Sequence, residues 1–353
     1  MERKPTRQIS IGGVKIGGDA PISVQSMTKT DTRDVDKTVA QIQRLEGAGC
    51  EIVRVAIPDT VACERFGEIR ERVALPLVAD IHFNHRLAIK AMENGADGIR
   101  INPGNIGGQR KLEAIVAKAK DRGIPIRVGV NSGSLERDLL RKYGGAPPEA
   151  LGESALRSIR FMESLDFHEI KVSLKSSDVV KTIEAYRLMC REVDYPLHLG
   201  VTESGTLISG TIKSSIGIGL LLYEGIGDTI RVSLTGDPVQ EVRVGYGILR
   251  ALGVRRIGPD IIACPTCGRC EIDLIPMAEE VERKLRHLRE PIRIAVMGCV
   301  VNGPGEAREA DVGIAGGRGE GLLFRGGRVL RKCPQGELVQ ALIEEIEQMV
   351  TKR

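Results

Sequence analysis

Residues 51–57, Glu-Ile-Val-Arg-Val-Ala-Ile, form a short β-branched run of the kind that is typical of a buried strand. Similar runs recur through the first 235 residues, and most are followed by a stretch with the apolar periodicity of a helix. The predicted strands span residues 22–27, 51–57, 75–81, 98–103, 125–130, 169–174, 197–202 and 229–235. Eight strands with mostly helical connections predict an α/β protein with a (β/α)8 TIM barrel. A doubly wound open sheet is the alternative, because periodicity alone does not show that a sheet closes.

The pattern changes after about residue 256. A cysteine-containing turn at 264–270 is followed by a long charged helix, further short strands and a closing helix at 337–349. We therefore predict a substrate-binding barrel domain over residues 1–256 and a smaller α+β domain over residues 257–353. An apolar hairpin over residues 9–16 is expected to cover the lower mouth of the barrel.

Composition excludes several classes of protein. The chain has 353 residues, of which 42% are hydrophobic and 28% charged, as in ordinary globular proteins. A net charge of +4, with 3% aromatic residues and no Trp, argues against a nucleic-acid-binding surface. No apolar run is long enough to span a membrane, and the first residues lack the apolar segment of a secretory signal. A cytoplasmic protein is expected.

Five of the predicted strands carry a cation at the same place in the pattern. These residues are Arg54, Arg100, Arg127, Lys171 and Arg231. Parallel strands that are buried on both faces should be continuously apolar, and a buried cation needs a negative partner. One interpretation is a charged layer closed internally by residues such as Asp80 and Glu203. The strands hold few acidic residues, however, which favours an anionic ligand such as a phosphate or diphosphate.

Other polar residues lie near the carboxyl ends of the predicted strands, where barrel enzymes carry their active sites. They are Asp80, His82, Asn102, Asn131, Ser173, Lys175, Glu203 and Ser233.

A group of cysteines forms the second candidate site. Cys264-Pro-Thr-Cys267-Gly-Arg-Cys270 has two successive two-residue spacings, and Cys299 follows in the next part of the chain. This spacing favours an iron–sulfur cluster over structural zinc, since no second Cys-x2-Cys pair exists, and over redox-active thiols. The fourth ligand is open: Cys270 would complete an all-thiolate cluster suited to electron transfer, whereas Glu306 would be a labile ligand that leaves one iron accessible to substrate.

Several motifs resemble those of one known family. They are Pro21-Ile-Ser-Val-Gln-Ser-Met-Thr28, Val78-Ala-Asp-Ile-His-Phe83, Arg100-Ile-Asn-Pro-Gly-Asn105, Arg127-Val-Gly-Val-Asn131, Thr202-Glu-Ser-Gly205, Cys264-Pro-Thr-Cys267 and Gly298-Cys-Val-Val-Asn-Gly-Pro-Gly-Glu306. In this order, over essentially the whole chain, they resemble the IspG (GcpE) family of 4-hydroxy-3-methylbut-2-enyl diphosphate synthases. The length resembles that of the two-domain bacterial members.

The resemblance implies a TIM barrel followed by an iron–sulfur domain like those of sulfite and nitrite reductases. It implies a [4Fe–4S] cluster held by Cys264, Cys267, Cys299 and Glu306, with Cys270 as a spare thiol. It also implies a homodimer whose active site forms between chains. The implied reaction, in the methylerythritol phosphate pathway of isoprenoid biosynthesis, is reductive ring opening and dehydration of 2-C-methyl-D-erythritol 2,4-cyclodiphosphate. Two electrons come from flavodoxin or ferredoxin, and Glu306 leaves the cluster to admit the substrate.

The residue pattern can be matched to that reaction. Glu203, near the seventh strand end, is the candidate proton donor to the departing hydroxyl. A cyclic diphosphate needs a lining of cations and hydrogen-bonding groups, for which the candidates are Arg54, His82, Arg100, Asn102, Arg127, Asn131, Lys171, Lys175, Arg231 and Ser233. Two alternatives are kept: a phosphate-binding barrel transferase with a structural metal site, and an electron carrier with an all-cysteine cluster.

Overall fold

The computed structural model describes residues 2–299 and 308–351. Glu306 therefore lies outside the described residues. The chain divides into two compact units, Met1–Arg255 and Arg256–Arg353.

The first unit is a parallel barrel behind a small hairpin. The hairpin strands are β1 (Ile9–Ile11) and β2 (Val14–Ile16), which pair antiparallel. The barrel strands are β3 (Ser23–Met27), β4 (Ile52–Ala56), β5 (Leu77–Ile81), β6 (Gly98–Ile101), β7 (Ile126–Asn131), β8 (Ile170–Lys175), β9 (His198–Leu199) and β10 (Thr229–Ile230). They follow the order β8-β7-β6-β5-β4-β3-β10-β9. A parallel bridge between Val172 and Leu197 joins the two ends of this sheet, so the predicted TIM barrel is confirmed.

Helices surround the strands, and many begin at an aspartate cap. Asp34, Asp59 and Asp178, for example, each accept a backbone N–H three residues further on. The helices are α1 (Val35–Gly47), α2 (Thr60–Glu71), α3 (His85–Glu93), α4 (Pro103–Ile106), α5 (Gln109–Arg122), α6 (Arg137–Tyr143), α7 (Pro148–Ser164), α8 (Val179–Glu192), α9 (Leu207–Tyr223) and α10 (Pro238–Ala251).

The apolar core of this unit lies between the strands and the helices. Along β4, for example, Val53 and Val55 are fully buried, while Arg54 between them lines the barrel interior. The hairpin covers the lower mouth of the barrel. Its residues Ile9, Ile11 and Ile16 form an apolar cluster that includes residues of β4 and β5. The expected position of the hairpin is confirmed.

The second unit has a five-stranded mixed sheet. Its elements are β11 (Asp260–Ala263), α11 (Leu274–Leu285), β12 (Arg293–Met297), β13 (Val312–Gly316), β14 (Glu320–Arg325), β15 (Arg328–Pro334) and α12 (Leu338–Thr351). The strands follow sequence order; the first three are parallel, and β14 and β15 pair antiparallel. Both helices contribute to one apolar core with the sheet, as an α+β fold requires.

Within the described ranges, the structure contains no helix with both the length and the apolar character needed to cross a membrane.

Candidate anion site and cysteine turn

Strand register aligns the charged residues inside the barrel. Asp80 on β5 is opposite Arg100 on β6, Arg100 is opposite Arg127 on β7, and Arg127 is opposite Lys171 on β8. Because side chains alternate between the two faces of a strand, residues in register on parallel strands share a face. The repeated cation in the sequence pattern is thus a layer of charge inside the barrel.

A cavity lies above this layer, where Asn131 and Lys175 end neighbouring strands. Its volume is about 70 Å³. Its lining residues are Arg54, Asp80, His82, Arg100, Arg127, Asn131, Ser173, Lys175, Thr202, Arg231 and Ser233. Eight of the ten predicted substrate-binding residues are in this set, and Thr202 is a lining residue that the sequence did not single out.

Asp80 is the centre of one group of charges. Its Oδ1 lies 3.2 Å from Nη1 of Arg100, and its Oδ2 lies 3.6 Å from Nε of Arg54 and 3.3 Å from Nε2 of His82. Burial by itself would raise the pKa of this carboxyl, but the charge of Arg54, the hydrogen bond to His82 and the charge of Arg100 hold the pKa well below its usual range. Asp80 therefore fixes two guanidinium groups at the cavity wall.

Two other cations at the cavity have no such partner. The side-chain nitrogens Nε and Nη1 of Arg127 and Nζ of Lys175 are buried, and the described residues offer them no hydrogen-bond acceptor. Burial, followed by the charges of Arg127 and Arg231, lowers the pKa of Lys175 well below its ordinary value. Buried cationic groups without hydrogen-bond acceptors are stabilised by an anion that enters the cavity.

The balance of charges within the described part of the site also favours an anion site. Five cations line the cavity, whereas two buried carboxylates, Asp80 and Glu241, contact them. Glu203, the other expected internal partner, is exposed and is not among the lining residues. An internally closed charged layer is therefore disfavoured relative to an anion site.

Two glycines make room for these cations. A Cβ at Gly129 would lie 2.5 Å from Nε of Arg100, and a Cβ at Gly200 would lie 2.6 Å from Nζ of Lys175. Only glycine fits beside these side chains in their observed positions.

Three of the predicted site residues lie apart from the cavity lining. Asn102 caps α4: its Oδ1 accepts the N–H of Gly104 at 3.1 Å, and its Nδ2 donates to Ser134 Oγ at 2.6 Å. Lys171 is in register with Arg127 but lines a separate gap, beside Gln25 and Ile11 of the hairpin, rather than the cavity. Glu203 is on the loop after β9, in the left-handed region with φ of 51°. Their roles toward substrate stay predictions.

The cysteines gather at one edge of the second sheet. Cys264 directly follows β11, and Cys299 follows β12, the parallel neighbour of β11. Gly298 packs against the sulfur atoms of Cys264 and Cys270, where a Cβ would collide with Cys270 Sγ. Within the turn, the N–H of Cys270 donates to the carbonyl of Cys267 at 2.8 Å.

This edge is suited to a thiolate-bound group, but its ligand set is incomplete in the described residues. Cys264, Cys267 and Cys270 form no disulfide there, so their thiols are available as ligands. The described ranges contain no group of three or more His, Cys, Asp or Glu side chains placed to hold a metal ion. The ligand set of Cys264, Cys267, Cys299 and Glu306 thus stays a prediction.

Fold and site together define a TIM-barrel protein with a cation-lined cavity at the carboxyl ends of its strands and a cysteine turn on a separate α+β unit. Residues 6–246 match the family model described as the GcpE TIM-barrel domain, and residues 260–348 match the GcpE protein C-terminal domain. The chain belongs to the GcpE family, which confirms the resemblance noted in the sequence.

Named relatives cover nearly the whole chain. A protein of Caldanaerobacter subterraneus subsp. tengcongensis is 62% identical over 348 residues, which cover 99% of this chain and 98% of the relative. A protein of Geobacter sulfurreducens is 59% identical over 348 residues, covering 99% of each. Both are named 4-hydroxy-3-methylbut-2-en-1-yl diphosphate synthase (flavodoxin). The prediction that this chain is an enzyme of the oxidoreductase class is confirmed.

Two solved structures that match this chain cover about 70% of it. Dihydropteroate synthase from Stenotrophomonas maltophilia superposes with a TM-score of 0.52 at 14% identity, covering 70% of this chain and 98% of the synthase. The Yersinia pestis dihydropteroate synthase gives a TM-score of 0.50, also at 14% identity, over 70% of this chain and 99% of the synthase. At this identity the match supports the TIM-barrel fold and nothing about the reaction.

Proposed function

We propose that this chain converts 2-C-methyl-D-erythritol 2,4-cyclodiphosphate to 4-hydroxy-3-methylbut-2-enyl diphosphate in the methylerythritol phosphate pathway. The reaction consumes two electrons and two protons, opens the ring at a C–O bond and releases one hydroxyl as water. The relatives' name specifies flavodoxin, which we propose as the electron donor. The observation that carries the proposal is the pair of buried cations without acceptors, Arg127 and Lys175, on the wall of the barrel cavity.

The described residues can bind and orient a cyclic diphosphate. Arg127 and Lys175 provide donors that have no protein acceptor in the described chain, and Asp80 holds Arg54 and Arg100 beside them. Guanidinium groups suit phosphoryl oxygens because they donate two parallel hydrogen bonds. Asn131 and Ser233, which also line the cavity, can donate further hydrogen bonds to the substrate.

The second unit is the proposed electron-transfer domain. We assign a [4Fe–4S] cluster to Cys264, Cys267, Cys299 and Glu306, in a domain related to those of sulfite and nitrite reductases. When bound, the cluster would pass the two electrons from flavodoxin to the substrate, one at a time. Cys264 and Cys267 at the turn and Cys299 after the neighbouring parallel strand are thiolate donors of the right chemistry. The barrel, residues 1–256, would then bind substrate, and residues 257–353 would hold the cluster. The cytoplasmic location stays a prediction.

Substrate binding should take up a proton at Lys175. In the free protein the pKa of Lys175 is lowered by burial and by the neighbouring cations Arg127, Arg231, Arg54 and Arg100. A bound diphosphate raises this pKa again, so at a pH between the two values binding consumes a proton, and affinity increases as pH falls. Isothermal titration of anaerobic, cluster-loaded protein in two buffers of different ionisation enthalpy measures this uptake.

Two lysines of β8 give the matched comparison for this titration. Lys175→Met should lose the proton uptake and weaken cyclodiphosphate binding by about tenfold or more. Lys171→Met, at the other lysine predicted to bind substrate, should keep the proton uptake and lose less affinity than Lys175→Met, because Lys171 is not on the cavity wall. Turnover is then followed as formation of the open-chain diphosphate with reduced flavodoxin. Binding without this product would reject the proposed reaction, and the absence of binding would reject the anion site itself.

We also propose that the enzyme acts as a homodimer, and the apolar surface of α9 supports this. Ile208 is 76% exposed, Ile212 55% and Ile216 54%, and Leu220 and Tyr223 continue the stripe along the helix. Between Leu207 and Tyr223 the helix carries a single charged residue, Lys213. Such a stripe is unusual for a surface exposed to water, and depletion of charge is typical of the centre of a subunit interface.

Sedimentation analysis can test this face. Ile212→Glu should shift the protein toward monomer, because it would bury an unpaired carboxylate in an apolar contact. Val180→Glu, which alters an exposed apolar residue on the neighbouring helix α8, is the control and should leave the dimer intact. A monomeric wild type, or dissociation by both variants alike, would exclude α9 as the dimer contact.

A further inference from the structure

Glu241 is a buried carboxylate that the sequence did not single out. It lies in the first turn of α10 and is 1% exposed. Its Oε2 accepts from Ser26 Oγ at 2.9 Å, and its Oε1 accepts from the N–H of Leu234 at 3.0 Å and lies 3.0 Å from Nζ of Lys29. These contacts satisfy the hydrogen-bonding capacity of the buried carboxylate. They also link Ser26 on β3 to Leu234 in the loop after β10.

The fourth partner of Glu241 belongs to the anion site. Nη2 of Arg231 lies 3.5 Å from Oε2 of Glu241, and Arg231 lines the cavity. Nε of Arg231 is buried without a hydrogen-bond partner in the described chain. Arg54 and Lys175 share this cavity, and the charge of Arg231 lowers the pKa of each. An opposing attraction is therefore needed to keep Arg231 beside them.

We propose that Glu241 is a positioning residue that holds Arg231 in the anion site, so that its guanidinium is already oriented when a diphosphate enters. The proposal rests on the proposed function, because a diphosphate is the ligand for which Arg231 would be oriented. Asp80 has the corresponding position toward Arg54 and Arg100. The site then combines three arginines oriented by carboxylates with two cations, Arg127 and Lys175, that have no acceptor in the described chain.

Glu51 provides a matched control at the other end of the barrel. It immediately precedes β4 and accepts from Nη1 and Nη2 of Arg255 at 2.7 and 2.9 Å. It also accepts from the N–H of Val24 at 2.8 Å. The kinds of donor match those of Glu241, but neither Glu51 nor Arg255 lines the cavity. A general effect of losing a partly buried carboxylate should therefore appear in Glu51→Gln as well.

The test is a double-mutant cycle on the full-length, cluster-loaded protein with inorganic diphosphate as the probe. Affinity is measured by calorimetry for the wild type, Glu241→Gln, Arg231→Gln and the double variant. Positioning predicts that Glu241→Gln weakens binding about tenfold when Arg231 is present and less than twofold when Arg231 is Gln. With the cyclodiphosphate, Glu241→Gln should raise KM more than it lowers kcat. Glu51→Gln should lower thermal stability without changing affinity.

Lys29→Met distinguishes an effect of Glu241 through Arg231 from an effect through the loop after β10. Lys29 also donates to the carbonyls of Leu234 and Gly236, at 2.5 and 2.6 Å, so its loss disturbs the same loop while Arg231 keeps its carboxylate. An equal loss of affinity in Lys29→Met, or an undiminished effect of Glu241→Gln in the Arg231→Gln background, would overturn the positioning role. Should Glu241→Gln fail to fold, Glu241→Asp enters the same cycle, since it keeps the charge but withdraws it from Arg231 by one methylene.

The outcomes separate the two proposals. Coupling between Glu241 and Arg231 in a protein that binds diphosphate but does not convert the cyclodiphosphate would retain the positioning role and reject the proposed reaction. Turnover of the cyclodiphosphate without coupling between Glu241 and Arg231 would retain the proposed reaction and reject the positioning role. A wild type that binds no diphosphate would reject both.

Discussion

Replacing Cys267 by Ser will remove most of the bound iron from anaerobically prepared protein, whereas Cys270→Ser will leave the iron content near that of the wild type. Cys267 is exposed on the turn, as a ligand to an added group should be. Cys270 is half-buried; its Sγ donates to the carbonyl of Ile272 at 3.2 Å and packs against Gly298. The Cys270 thiol is thus engaged in contacts within the protein, and Cys267 is the better ligand candidate. Iron per chain and the visible absorption of the cluster measure the difference.

The control is Cys333→Ser, a buried cysteine in the core of the same unit. It should reduce stability without removing iron, which separates loss of a ligand from loss of packing. Equal iron loss in Cys267→Ser and Cys270→Ser would instead point to an all-cysteine cluster.

A Mössbauer spectrum of iron-57-labelled protein identifies the fourth ligand independently. One iron site that differs from three thiolate-like sites and changes on addition of the cyclodiphosphate is expected if Glu306 is a ligand. Four equivalent thiolate-like sites that do not respond to substrate would assign the fourth position to Cys270 and make the cluster an electron relay.

The barrel could be predicted because each strand is a local pattern, but two strand lengths were wrong. The predicted strands at 197–202 and 229–235 are reduced to His198–Leu199 and Thr229–Ile230. Beyond them the backbone hydrogen bonds are fewer and side chains add contacts: Ser204 Oγ donates to the carbonyl of Ser233, and Glu241 accepts from the N–H of Leu234. Strand propensity does not report side-chain contacts of this kind, the first of which joins residues 29 positions apart.

The site was predictable to the extent that it lies on strand positions. The alternation along a strand identifies which cations face the barrel interior, so Arg54, Arg100 and Arg127 could be assigned from the sequence. The alternation does not report which of the inward-facing cations line the cavity, and Lys171, in register with Arg127, lines a separate gap beside Gln25. Glu241 was missed because its partner Ser26 is 215 positions away and a glutamate in a first helical turn is ordinary.

Glu203→Gln should lower kcat by about 10²–10⁴-fold while leaving the affinity for the cyclodiphosphate within about twofold of the wild type. Glutamine has nearly the same shape as glutamate but cannot deliver the proton that the departing hydroxyl needs. Glu203 follows Thr202, which lines the cavity, and its own side chain is exposed to solvent. It can therefore exchange protons with solvent between turnovers, and it is not among the residues that bind the diphosphate in this cavity.

The backbone at Glu203 gives a second reason to expect a role in turnover. Its φ of 51° lies in the left-handed region, which costs a non-glycine residue about 1–2 kcal/mol. Contacts on either side hold the loop in this form, including a hydrogen bond from the N–H of Thr235 to the carbonyl of Gly205 at 2.9 Å. Glu68→Gln, an exposed glutamate of α2, is the control and should leave kcat unchanged. If kcat of Glu203→Gln stays within threefold of the wild type, the proton comes from another group; if affinity falls together with kcat, Glu203 acts in binding the substrate instead.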